Sequence, residues 1–241
     1  MSSLLRQGAI SHAWRALEAR ARLPAYGGMH IALDQYLLFV SIVTLIVVTP
    51  GPNLFLLLGM AGNGRGTGLL VTLGFCAAVL SHVALALVGV GAVIATSALL
   101  FTAIKTLGAA YLMWMGVKSL LSLRGKGAAL VPVRQVAPMS APRAFATGYL
   151  TNILNPKPAI FYVAAFPQFL SAGEPGFYAT GIVLGLTHAA IALLFYGSAA
   201  LLMSRLARVL LRPMVGRAVK AVSGVALILL GGRLLLARAP S

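Results

Sequence analysis

The sequence predicts an all-α membrane protein of six transmembrane helices, arranged as two inverted three-helix repeats whose first and fourth helices are broken. Three observations lead there. Of 241 residues, 60% are hydrophobic and 9% are charged, whereas soluble domains carry about 25% charged residues. Residues 35–64 and 66–104 contain no formal charge, and a spanning helix needs about 20 such apolar residues. Finally, two double-proline interruptions recur at a fixed spacing inside these apolar runs. The composition excludes a soluble enzyme, a disordered chain and a nucleic-acid-binding domain.

The charge balance fits the same picture. The chain has 19 Lys+Arg against 3 Asp+Glu, a net +16. The basic residues sit between apolar stretches, as topology signals do, and form no aromatic-interleaved patch that would grip a nucleic acid. The single Cys76 excludes an internal disulfide and a CxxC site. No metal or cofactor motif is present, so no cofactor is expected.

Taken in order, residues 1–28 hold Arg6, Arg15, Arg20, Arg22 and Glu18 without the apolar core of a secretory signal. They read as an Arg-rich leader, an interfacial helix or, the favoured reading, an upstream extension before a start at Met29. The first repeat covers 29–121, with spans near 36–59, 68–94 and 99–120, the last two parted by a turn at Ala95, Thr96 and Ser97. A basic cytoplasmic linker, 122–143, carries Arg124, Lys126, Arg134 and Arg143 between prolines. The second repeat, 144–241, has spans near 145–170, 177–203 and 218–237. Arg65, the linker, and the loop with Arg205, Arg208, Arg212 and Arg217 are basic, whereas the other two connections hold only Glu174 and Lys105, the latter at a helix start. Basic loops stay in the cytoplasm, which places loops one, three and five inside and both termini outside.

The repeat is visible at an offset of 106 residues. Pro50 maps to Pro156, Pro52 to Pro158, Ser81 to Thr187, His82 to His188 and Gly91 to Gly197. The third and sixth spans match at an offset of 116, pairing Gly108 with Gly224, Ala110 with Ala226 and Gly116 with Gly232. Three spans per copy is an odd number, so the second copy enters the membrane in the opposite sense. Inverted repeats with broken helices mark secondary transporters.

Candidate chemistry gathers at the breaks. In Pro50, Gly51, Pro52 and Asn53, two prolines remove backbone donors and clash with the preceding turn, at about 3 kcal/mol or more. Such a break survives in lipid only where it is packed in protein or lines a wet cavity. The half-helix after Pro52 points free N–H groups at the gap, as a carboxylate site would, and Asn53 adds a side-chain donor. Asn152, Asn155, Pro156, Lys157 and Pro158 form the second break. A lysine at mid-depth costs roughly 2.5–3.5 kcal/mol on insertion scales. Lys157 is therefore a carboxylate-binding or gating cation, or else a residue that snorkels to the surface. His82 and His188 are proton-coupling candidates because histidine titrates near neutral pH. Their alternative is a neutral, hydrogen-bonded core role. Glycines at 108, 116, 224, 231 and 232 read as helix-packing positions.

These stretches carry a resemblance. Pro50-Gly51-Pro52-Asn53, Lys105 with Gly108-Ala109-Ala110-Tyr111-Leu112 and Gly116, Asn152, Asn155-Pro156-Lys157 and Phe166-Pro167-Gln168-Phe169 occur in an order similar to the lysine exporter superfamily, particularly its homoserine/threonine resistance branch. The resemblance implies a bacterial inner-membrane exporter of amino acids or close derivatives, driven by the proton gradient, with the two breaks as signature elements. Many relatives place an aspartate in the fifth span, where this chain has His188 and no acid. That departure favours a neutral cargo such as threonine, homoserine or leucine, its ammonium held by helix C-terminal carbonyls and side-chain amides. The implied partners are an amino acid, protons and the bilayer, with homo-oligomerisation left open. The alternative is a divalent-metal exporter on the same architecture, for which one Cys, two deep His and no deep acid make a poor cage. An integral membrane enzyme lacks clustered acid–base groups.

Overall fold

In an apolar medium a chain must satisfy its backbone within its own helices, and the described residues are helical nearly throughout. The computed structural model describes residues 31–60, 63–96, 98–123, 136–170, 175–202 and 213–236. The extension 1–28, Arg124, Lys126 and Arg134 of the linker, Ser97, Glu174, and Arg205, Arg208 and Arg212 lie outside the described residues.

Helix α1 (Leu33–Val48) buries Phe39, Ile42, Val43, Ile46 and Val47, the spacing of one helical face. It stops before Pro50, and α2 (Pro52–Gly59) restarts with Pro52 in its first turn, bent 46° from α1. Proline suits that first turn because the missing N–H has no partner there anyway. Helices α3 (Arg65–Thr96) and α4 (Ala98–Leu121) follow. Helix α5 (Ala141–Ile153) ends at the second break, and the chain resumes as α6 (Pro156–Ile160), a wide π turn (Phe161–Ala165) and a tight 3-10 turn (Phe166–Phe169). Helices α7 (Phe177–Leu201) and α8 (Pro213–Leu236) complete the described chain. Both α3 and α7 are entered through glycines in the left-handed region, Gly64 at φ 85° and Gly176 at φ 101°, a conformation that other residues adopt only with strain.

By length and composition, three helices can cross a membrane: 65–89 within α3, α7, and Met214–Leu236 in α8. The bent α1–α2 pair makes a fourth. The two other expected spans correspond to α4, which carries Lys105 and Lys118, and to the interrupted chain from α5 to Phe169. Large apolar side chains cover the outside, with Leu85, Val88, Leu194 and Leu229 each about two-thirds exposed or more. A soluble surface would not tolerate that, whereas lipid would cover it.

Three expectations need correction. The last helix begins at Pro213, not near 218, because Arg217 and Lys220 prolong α8 as helix. Lys105 is not at a helix start. It lies in the body of α4 and is 6% exposed, so it leaves the loop-charge argument and Lys157 is not the only deep lysine. Gly232 is no packing glycine, since a Cβ there would meet nothing within 4 Å. Its neighbour Gly231 takes that role, lying 2.7 Å by the same construction from the Ala109 carbonyl.

Glycines set the closest helix crossings. Helix α4 meets α8 where a Cβ on Gly116 would fall 2.5 Å from the Gly224 carbonyl oxygen. Helix α3 meets α5 still more closely, and sequence reasoning did not single out its two glycines. A Cβ on Gly74 would fall 2.2 Å from the Phe145 oxygen, and one on Gly148 2.1 Å from the Val71 oxygen. Gly148→Ala is therefore expected to destabilise the purified protein by about 1–3 kcal/mol, as overpacking does. Gly66→Ala, at a position with nothing within 4 Å, should leave the melting temperature essentially unchanged. Melting of both variants in the same detergent checks this.

Candidate functional site

A proline in a helix leaves the carbonyl four residues back without its N–H. Pro50 orphans Ile46, and Pro156 orphans Asn152, which lies 106 residues further on. The structure fills both. Lys157 Nζ donates to the Ile46 carbonyl at 3.0 Å and to the Thr49 carbonyl at 2.6 Å. His82 Nε2 lies 3.4 Å from the Asn152 carbonyl, which also accepts from Asn155 N. The Val47 carbonyl accepts from the Tyr196 hydroxyl at 3.0 Å, and that of Leu45 from the Thr49 amide and hydroxyl. At the open end of α1 the Ile46 and Val47 carbonyls are thus capped from other parts of the molecule, and that of Leu45 by the adjoining Thr49.

Lys157 is 4% exposed, so it does not snorkel. Its partners are neutral carbonyls at the C-terminal, negative end of the α1 dipole. Gly51 makes room for it, because a Cβ there would stand 3.2 Å from Lys157 Cε and Nζ.

The expected asparagines join the two breaks into one chain of amides. Asn152 donates from Nδ2 to the Phe75 carbonyl at 2.8 Å and accepts at Oδ1 from Asn53 Nδ2 at 2.9 Å. Asn53 Oδ1 accepts from Asn155 Nδ2 at 3.3 Å, and Asn155 Oδ1 accepts from the Lys157 backbone N–H at 3.1 Å. Every link runs in the same donor-to-acceptor sense, so the asparagines clamp the breaks to each other. The Asn53 amide has two hydrogens, and the bond to Asn152 uses one of them.

His82 and His188 come together through a residue that sequence reasoning missed. The Tyr162 ring stacks on both, with centroids 5.8 Å from His82 and 5.6 Å from His188. The Tyr162 hydroxyl hydrogen-bonds His188 Nδ1 at 2.8 Å. Tyr162 sits in the π turn, whose extra residue rotates it inward; such turns favour functional positions. Tyr196 was missed as well. The available signal was only generic: a tyrosine in an apolar span must find its hydroxyl a partner.

A cavity of about 20 Å³ opens beside these groups, lined by Asn53, Asn152, Asn155, Lys157, His188 and Tyr196 over an apolar wall that includes Phe75 and Val79. This is room for about one water molecule. Pro158 also lines it, whereas Pro52 and Pro156 are exposed and act by breaking the helices. Among the described residues no three His, Cys, Asp or Glu side chains gather as a metal site.

Ser81 and Thr187, matched at the offset of 106, each hydrogen-bond a tyrosine, although the two tyrosines are not themselves matched at that offset. Ser81 on α3 bonds the Tyr149 hydroxyl on α5, and Thr187 on α7 bonds the Tyr36 hydroxyl on α1, each at 3.1 Å.

Comparison with known proteins gives a consistent result. Residues 44–238 match the family described as LysE type translocator. An uncharacterized membrane protein of Bacillus subtilis is 33% identical over 150 residues, 58% of this chain and 69% of its own length. The leucine efflux protein of Salmonella typhimurium is 36% identical over 132 residues, covering 54% of this chain and 60% of that protein. The threonine efflux protein of Escherichia coli K12 is 32% identical over 138 residues, 56% of this chain and 67% of its own length. The aligned segments thus span 60 to 69% of these relatives. No solved structure matches the chain.

Removing one amide from the clamp strands its neighbours. Asn53→Ala leaves Asn152 Oδ1 and Asn155 Nδ2 unpartnered, with an expected loss of about 1–3 kcal/mol per stranded group. Asn152→Ala costs a similar amount. Combined, the two should cost clearly less than their sum because they share the same bond. A double-mutant cycle by thermal or chemical unfolding reads this out.

Proposed function

The chain belongs to the LysE type translocator family, and from that premise we propose that it exports neutral amino acids or close derivatives, of the threonine, homoserine or leucine kind, across the bacterial inner membrane. It is a multi-pass membrane transporter and not an enzyme. The observation that carries the reading is the meeting of two broken helices at a buried cavity with one ammonium, three carboxamides and an imidazole on its wall. An amino acid needs donors for its carboxylate and acceptors for its ammonium. Lys157 and the N-terminal amides of α2 supply the first, and the α1 carbonyls supply the second. With no acid on the wall, a cargo carrying a second positive charge lacks a partner. The names of the leucine and threonine efflux relatives point the same way.

The proposed architecture is six spans in two inverted halves, 29–121 and 144–241, joined by the cytoplasmic linker 122–143. It is supported by the proline breaks matched at the offset of 106 and by the matched Ser81 and Thr187, each of which hydrogen-bonds a tyrosine hydroxyl. Transport is by alternating access, since a cavity with room for about one water admits no amino acid until the helices around it move. The coupling ion is the proton, with His82 and His188 as its carriers and Tyr162 stacked between them. The divalent-metal alternative gains no support from the site.

Cells fed dipeptides and assayed for efflux of each of the twenty amino acids should export one or a few neutral ones. Lys157→Ala and Pro52→Ala should each reduce that export by roughly tenfold or more, the scale of losing a binding contact worth more than about 1.4 kcal/mol. If both variants export every amino acid at the wild-type rate, the site is elsewhere. In everted vesicles, His82→Gln combined with His188→Gln should abolish uphill accumulation driven by a proton gradient but spare downhill exchange. Unchanged accumulation would remove the histidines from the coupling path.

A further inference from the structure

The carbonyls of Ile46 and Thr49 form a seat for a primary ammonium, and the only ammonium placed in it is the chain's own. Pro50 removes the N–H that Ile46 would have used, the α1 dipole places partial negative charge there, and Gly51 leaves space beside it. Lys157 Nζ holds both oxygens, at 3.0 and 2.6 Å. An ammonium has three donors, and of the groups at the seat Ile46 and Lys157 line the cavity, as does Asn53.

We propose that this carbonyl pair is the binding seat for the α-ammonium of the cargo, and that Lys157 occupies it as a tethered stand-in when no cargo is bound. On entry, the cargo ammonium takes the Ile46 and Thr49 carbonyls, and Lys157 swings off to pair with the cargo carboxylate. The exchange is neutral overall. One buried positive charge is present before, and after it a zwitterion of zero net charge has been added. A lone amine would leave two unpaired cations in the cavity, and a lone acid would leave the seat empty. The swap therefore selects for a molecule that carries both groups. It also couples binding to motion, because Lys157 tethers α6 to the end of α1 only while the seat is its own. This inference rests on the amino-acid reading of the cargo, but its test does not.

The test uses the purified full-length protein, with methylammonium as the probe. Lys157→Met keeps an unbranched apolar stem but ends one atom short of the ammonium and so empties the seat, and its melting temperature should fall by several degrees. Methylammonium chloride at tens of millimolar should restore at least half of that loss. Tetramethylammonium chloride, which has the charge but no N–H, should not, and wild type should respond to neither. Where Lys157→Met fails to accumulate, Lys157→Gln retains one donor for the seat, and recovery of folded protein on adding methylammonium becomes the readout. Equal responses to the two ions, or none in either variant, would overturn the proposal. Rescue by methylammonium in a protein that exports no amino acid would keep the seat and discard the cargo. Export of amino acids without rescue would do the reverse.

Discussion

Everything around the cavity depends on how the carbonyls left open by two prolines are satisfied. A buried unpaired carbonyl is costly in any protein, and water is scarce where the helix crosses lipid. The Ile46 carbonyl is met by a lysine ammonium, whereas that of Asn152, 106 residues on, takes the Asn155 backbone N–H with a histidine ring beside it. That difference makes the site asymmetric. The α1 side holds a positive charge against the negative end of a helix, and the α5 side holds an imidazole stacked on Tyr162.

The asparagine chain explains why the breaks stay together. Asn53, Asn152 and Asn155 come from three different helical segments or their ends; Asn155 donates to Asn53, Asn53 to Asn152, and Asn152 to the Phe75 carbonyl. Because the chain ends on the backbone N–H of Lys157, the clamp also fixes where that residue leaves the backbone and hence where its ammonium can reach. Around this polar centre the packing is unusually close. Gly74 against α5, Gly148 against α3 and Gly116 against α8 let backbones touch, while Phe39 packs its ring against Phe161, Phe166 and Phe169. The Phe166-Pro167-Gln168-Phe169 stretch thereby serves as the wedge that seats α1.

Much of the local structure was legible. The prolines at 50, 52, 156 and 158 announced both breaks, because a missing N–H is a property of the residue itself. The two histidines matched at the offset of 106 both lie against one tyrosine, Tyr162. Lys105 was misplaced because a charge at the edge of an apolar run reads as a boundary, whereas α4 simply extends two turns beyond it. Gly74 and Gly148 escaped notice because a glycine in a helix shows its purpose only when the neighbouring backbone is known.

Sequence alone determined that the chain is helical and apolar and where its helices fail. Those features follow from each residue's own donors, volume and charge. Tertiary structure decided which partner answers each failure. Lys157 reaches carbonyls 108 and 111 residues away, and Tyr196 one that is 149 residues away. No local pattern encodes such a pairing, because it exists only once the two halves have packed and the orphaned carbonyls face the side chains able to donate to them.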